Sequence, residues 1–255
     1  MKLVASGSAL ALLLAPVAVP ASAPFTFSSS TLQRGQTVEI HNINGEVTVR
    51  QGDRLEITAT KRSEHGNPDD VRVIAKQTDS GVSACVRYPG DDRTDCDGGF
   101  GHAHNSNSDN DTTVTFEVRV PRGVNVVANG VNGDVRVHSD ALASARTVNG
   151  RITVDADNVS AATTVNGAID VHIHSTSSAM PLSVHTVNGA ITCTLPSSVG
   201  LNVHIKVLNG SISAGGLTVQ RPQFGPGASA DGVIGDGKRT VDLHTLNGSV
   251  SLMRV

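Results

Sequence analysis

Six aspartates and two histidines crowd the stretch between Pro89 and Thr112: Asp91, Asp92, Asp95, Asp97, Asp109 and Asp111, with His102 and His104. Clustered carboxylates suit Ca²⁺, and a His-x-His pair suits Zn²⁺ or Cu²⁺. Asp91, Asp92, Asp95, Asp97, His102 and His104 are the candidate metal ligands on this reading. Their spacing follows no established Ca²⁺ loop, however, and Asp, Asn and Gly are also the ordinary material of a solvated loop. The loop is the simpler expectation and the metal site the alternative.

Three other groupings could do chemistry. His138, Asp155 and His172 recur at intervals of 17 residues, which would stack them as a column of imidazole and carboxylate rungs if the chain is a regular coil. Asp155 with Asp170 is the best carboxylate pair for acid–base work on a glycan, but no aromatic or arginine cluster accompanies it. Gly232-Val233-Ile234-Gly235-Asp236-Gly237-Lys238 has the skeleton of a phosphate-binding loop. Arg239 stands where the Mg²⁺-binding hydroxyl belongs, and no helical pattern follows to present its N-terminus. No Gly-x-Ser-x-Gly nucleophile motif occurs. No catalytic residue and no cofactor is expected.

The elements that must position these groups are written into a repeat. Asn-Gly occurs eight times, and seven copies follow a branched aliphatic and precede, one residue further on, Ile or Val. These are Asn44-Gly45, Asn132-Gly133, Asn149-Gly150, Asn166-Gly167, Asn188-Gly189, Asn209-Gly210 and Asn247-Gly248. From Asn132 onward the spacings are 17, 17, 22, 21 and 38 residues, so one structural unit recurs. Residues six and four before each Asn are small or apolar, as in Val126 and Ala128 or Leu182 and Val184. Those three and five after it are apolar again, as in Ile152 and Val154 or Ile169 and Val171. Each unit therefore reads as two half-buried strands meeting at Asn-Gly.

Two architectures satisfy that parity. Asn-Gly as a type I′ turn gives an antiparallel meander or sandwich. A corner at Asn-Gly instead makes each repeat one coil of a β-solenoid. Thr147, Thr164, Thr186 and Thr245 and the Val or Leu after each are also reproduced; a hairpin does not require this, whereas stacked coils do. The solenoid is favoured. Val148, Val165 and Val187 are expected in one continuous core with Ile152, Val154, Ile169, Val171 and Ile191, with the Asn-Gly glycines at positive φ and Asn247-Gly248 at the free end of the stack.

Residues 1–23 read as a secretory signal: Lys2, an apolar run too short to span a bilayer, then Ala21-Ser22-Ala23. Residues 24–120 read as an N-terminal β region carrying the polar loop 89–112, and residues 121–255 as the Asn-Gly solenoid. Losing Lys2 with the signal lowers the 20 basic residues to 19 against 23 acidic ones, a net charge of −4. That balance argues against nucleic acid, and five Phe, one Tyr and no Trp leave little for stacking on bases or sugars. Cys85 and Cys96 flank ten residues in an exported chain, so a disulfide between them is expected, with Cys193 a buried, inert thiol.

The export signal, the opening Gly35-Gln36-Thr37-Val38-Glu39-Ile40-His41-Asn42-Ile43-Asn44-Gly45, the junction Phe116-Glu117-Val118-Arg119-Val120-Pro121-Arg122-Gly123 and the serial Thr-Val-Asn-Gly blocks together resemble the bacterial DUF4097 family of candidate adhesins. The resemblance covers essentially the whole mature chain. It implies an exported β-repeat protein with surface or adhesion roles and brings no catalytic residues. The expectation is a non-enzymatic adhesin or envelope element, periplasmic, cell-surface or secreted, without a transmembrane segment once the signal is removed. Its partner would be a polysaccharide, an envelope component or a second copy of itself. The alternative is a metal-binding envelope protein using residues 91–111.

Overall fold

The structure, a computed structural model, describes residues 22–96 and 110–255. Residues 1–21, which hold most of the expected signal, and Asp97, His102 and His104 of the expected metal site lie outside the described residues. Among the described residues there are 18 strands: β1 (Phe25–Ser29), β2 (Thr37–His41), β3 (Val47–Gln51), β4 (Leu55–Arg62), β5 (Arg72–Thr78), β6 (Gly81–Arg87), β7 (Thr113–Val120), β8 (Asn125–Asn129), β9 (Val135–Arg146), β10 (Ile152–Thr163), β11 (Ile169–Ile173), β12 (Leu182–Asn188), β13 (Ile191–Leu195), β14 (Leu201–Asn209), β15 (Ile212–Ala214), β16 (Ala228–Ile234), β17 (Arg239–Asn247) and β18 (Val250–Arg254).

The pairings are those of a solenoid. Strands on the two sides of an Asn-Gly never pair with each other; each pairs in parallel with its counterpart in the next coil. One ladder runs β6–β2–β8, then the second halves of β9 and β10, then β12–β17–β14. The other runs β7–β3, then the first halves of β9 and β10, then β11–β13–β18–β15. β9 and β10 serve both ladders because the chain bends at register shifts between Ala156 and Asn158 and between Val159 and Ala161. The antiparallel meander is thereby excluded. Among the described residues antiparallel pairing is confined to the ends, where β5 covers β6, β4 covers β7 and is itself flanked by β1, and β16 covers β14.

Like stacks on like inside. Phe116, Val47, Val135, Ile152, Ile169, Ile191, Val250 and Ile212 form one continuous file. Val118, Val49, Val137, Val154, Val171, Cys193, Leu252 and Ala214 form the next. Cys193 thus takes a place its neighbours fill with Val171 and Leu252. Its thiol is free and buried, and burial pushes its pKa up to about 12, which makes it inert.

Val148 and Val165 depart from expectation. They are 36% and 38% exposed, and Val131, Val187 and Leu246 of the same column are half-buried. The residue two before each Asn points inward instead: Thr147, Thr164, Thr186 and Thr245 are buried. Their hydroxyls donate to corner carbonyls of the neighbouring coil, Thr164 to Val148 and Gly150 at 3.3 and 3.2 Å, and Thr186 to Gly167 at 3.1 Å. Strand alternation continues up to the Asn, so the aliphatic beside it must face out.

The order of coils also departs from the order of the chain. β17 lies between β12 and β14, and β18 between β13 and β15. The last repeat is therefore interior, and the 38-residue gap before Asn247 holds β15 and the returning strand β16. The outer coil at this end is β14–β15, with Asn209-Gly210 at its corner.

Candidate functional site

The corner residues form the most regular surface feature of the molecule. Each Asn side chain donates Nδ2 to the Oδ1 of the rung before it: Asn132 to Asn44 at 2.9 Å, then Asn149, Asn166 and Asn188 each at 2.8 Å, Asn247 to Asn188 at 2.7 Å and Asn209 to Asn247 at 2.8 Å. All seven amides point the same way along the stack. Asn44, at the other end, donates to the Tyr88 hydroxyl at 3.2 Å, and that hydroxyl donates to the Thr112 carbonyl. A primary amide carries both a donor and an acceptor in one plane, so a file of Asn passes a hydrogen bond from coil to coil, as an ionised carboxylate file, which has no donor, cannot.

Glycine after each Asn answers to close approach. A Cβ at Gly150, Gly167, Gly189 or Gly248 would lie 1.9 to 2.1 Å from the carbonyl oxygen of the preceding corner glycine. Positive φ, expected throughout, holds at Gly45 (114°), Gly133 (150°), Gly210 (156°) and Gly248 (156°) and not at Gly150, Gly167 or Gly189. What all seven glycines share is the absent side chain. Beside the amide file runs the outward aliphatic column, with Leu208 44% exposed at its end.

The candidate metal ligands are placed as follows. Asp91 is taken by cations: Arg93 Nη2 and Arg87 Nη1 lie 2.8 and 3.3 Å from its Oδ2. The hydrogen bond from Arg93 lowers its pKa to about 2, against a smaller opposing effect of burial. Asp95 offers its main-chain carbonyl to the buried Arg87. Cys85 and Cys96 are joined in a disulfide, which anchors this segment on β6.

Asp111 instead meets two residues absent from the expected set, Glu64 and His65. One ligand atom from each of the three residues lies within 4.8 Å of the others. Asp111 Oδ1 accepts from Ser63 Oγ and from the main-chain nitrogens of Glu64 and His65 at 2.7 to 3.0 Å. The backbone bond from His65 and the Ser63 hydroxyl hold the carboxyl well below the usual range. Its Oδ2 is left facing His65 Nδ1 at 3.1 Å. Sequence reading misses Glu64 and His65 because they sit 46 or more residues away, in the turn after β4, and the β4–β7 pairing alone brings them to Asp111.

The expected column of His138, Asp155 and His172 is formed, with Asp155 opposite both histidines in the neighbouring strands. Asp155 Oδ1 lies 3.3 Å from His138 Nδ1 but closer, 2.6 Å, to Nε2 of His174, the next outward residue of the chain. Partial burial pushes the Asp155 carboxyl up, and the hydrogen bond from His174 with the charges of the three imidazoles more than offsets it. Asp170 is paired with Arg151 at 2.8 Å. Asp155 and Asp170 therefore each hold a separate partner. The turn at Gly235-Asp236-Gly237 connects β16 to β17, and Asp236 is bound by Lys238 at 2.8 Å.

Among the described residues no helix is long and apolar enough to cross a membrane. No family model matches this chain, and no curated protein matches it. Among solved structures it is similar to a candidate cell adhesion protein from Clostridium sporogenes, at 12% identity over 91% of this chain and 99% of the other, with a TM-score of 0.47. It is also similar to a candidate adhesin from Bacteroides fragilis, at 9% identity over 91% and 97% with a TM-score of 0.33.

Proposed function

We propose that the chain is an exported, non-enzymatic adhesin or envelope element that binds a repetitive partner along its amide corner. The observation that supports this is the file of seven Asn side chains with an aliphatic column beside it, repeated at the spacing of parallel strands, about 4.8 Å. Such a file offers one weak polar contact per coil, and weak contacts along a repetitive partner add through effective concentration. A polysaccharide with regularly spaced hydroxyls has that form. Export accords with the disulfide. Cosedimentation of the purified protein with insoluble chitin, cellulose and peptidoglycan tests the reading. Retention on at least one is expected, with loss in the double variant Val148→Asp, Val165→Asp, whose changes lie outside the core. A folded protein that stays in the supernatant with all three, or a double variant that binds as well as its parent, overturns it.

A second reading, divalent metal binding, is favoured by one arrangement: the oriented Oδ2 of Asp111 beside His65 Nδ1 and the Glu64 carboxylate. A separation near 3 Å is that of two ligands on one small ion. Zn²⁺ should raise the melting temperature of the parent and not that of His65→Ala, because only a ligand of the native state shifts it. An equal response of the two proteins removes this reading.

A further inference from the structure

We propose that Asn209-Gly210 is a site of spontaneous modification in the folded protein, the one corner at which the stack leaves the Asn-Gly bond open to succinimide formation. In that reaction the glycine nitrogen loses its proton and attacks Cγ of the preceding Asn. The new N–C bond closes a five-membered ring and Nδ2 leaves as ammonia. Water then opens either ring carbonyl, giving Asp or isoaspartate. Asn-Gly is the dipeptide most open to this attack because glycine has no Cβ beside the nucleophile.

At the other corners the fold occupies the nucleophile. The main-chain N–H of Gly45, Gly133, Gly150, Gly167, Gly189 and Gly248 each donates to the main-chain carbonyl of the Asn in the next coil, at 2.8 to 3.0 Å. The eighth Asn-Gly, outside the file, is held in the same manner, with Gly130 donating to Arg146 at 2.7 Å. Each of these bonds must open before the nitrogen can be deprotonated and reach Cγ. The amides of the first six corners are also clamped at both ends, donating to one neighbour and accepting from the other.

Gly210 breaks the series. The bonds run toward the β14–β15 end, and its coil is the last, so no further Asn carbonyl receives its N–H; no acceptor for it is found among the described residues. It is also exposed where the other six corner glycines are half-buried. Asn209 donates to Asn247 but no residue donates to its Oδ1. Insertion of the final repeat inside the stack puts this corner outermost and shields Asn247-Gly248, which the chain order alone would have left exposed. Conversion at 209 removes the donor to Asn247 and sets a carboxylate against that oxygen, or adds a backbone atom at the corner, and so loosens β14–β15 from β17–β18.

The full-length protein, held folded in mildly alkaline buffer at 37 °C, is sampled over weeks and peptide-mapped for isoaspartate and Asp at each Asn-Gly. Conversion at Asn209 is expected to run at least about tenfold ahead of every other site, since those react only through local opening. In denaturant all eight should convert at comparable rates. Amide exchange gives an independent reading: Gly210 should exchange early, and Gly150, Gly167 and Gly189 late. An internal corner that keeps pace with Asn209 in the folded protein, or an Asn209 no faster than Asn166, overturns the proposal.

Discussion

Asparagine at the corner works because one side chain both gives and receives. Asn166 donates to Asn149 and accepts from Asn188, each at 2.8 Å. Asn166→Ala removes both bonds, and at a net worth of about 1 kcal/mol each, less at an exposed site, the loss should be about 1–2 kcal/mol. Asn166→Asp should cost more, because a carboxylate cannot donate to Asn149 and brings charge against its oxygen. Urea melts of the two variants rank them, and an Asp variant as stable as the Ala variant would refute the one-way amide file. Asp91 allows a prediction with pH. Its folded pKa is depressed to about 2 from an ordinary 3.8, so its pairing stabilises the fold above pH 3.8 and is lost as pH falls toward 2. The gap in melting temperature between parent and Asp91→Asn should therefore be full near pH 5 and shrink between pH 4 and 2. A gap that stays constant would mean that Arg87 and Arg93 do not stabilise the carboxylate.

At the scale of the strand, the alternation that makes a half-buried ribbon was legible from single residues. Ile152, Val154, Ile169 and Val171 are inside as their spacing from Asn requires. Val148 and Val165 are legible only if the same count is carried back without regard to polarity: six, four and two before the Asn share a face, so Thr is inside and Val out. Hydropathy misleads here because the buried Thr hydroxyl finds carbonyls exposed by the corner, an acceptor set invisible until neighbouring coils are stacked. Substitutions separate the two faces. Ile169→Ala should cost about 2–5 kcal/mol for the lost contacts and cavity, and Ile169→Asp should unfold the region. Val165→Ser should stay within about 0.5 kcal/mol, as surface changes do. A Val165→Ser loss approaching that of Ile169→Ala would return the aliphatic column to the core.

For the whole molecule, repetition announces stacking but not the order of the stack. Parallel pairing of like with like is satisfied by any permutation of similar coils, and what selects one is the reversal at β16, which covers the edge of β14 and leaves β17 to enter between β12 and β14. The irregular spacing before Asn247 is the only trace of it in the sequence. At the other end, β6 and β7 are the strands beyond β2 and β3 in the two ladders, and Tyr88, just after β6, ends the amide file where an eighth Asn would stand. The arrangement fixes how three corner substitutions rank. Gly167 and Gly248 both have coils on either side, and a Cβ at each would meet a glycine carbonyl at 1.9 and 2.0 Å. A Cβ at Gly210 would meet Gly248 at 1.7 Å, but that corner has a coil on one side only, since β16 pairs with β14 no further than Val207, so the corner can yield at the end of the stack. Gly167→Ala and Gly248→Ala should therefore be similarly destabilising, by more than the 1 kcal/mol or so that a strained glycine replacement ordinarily costs, and Gly210→Ala should be the mildest of the three. If the final repeat were instead the free end, Gly248→Ala would be mild and Gly210→Ala severe, so denaturant melts of these two variants decide whether the last coil is threaded into the stack or added to its tip.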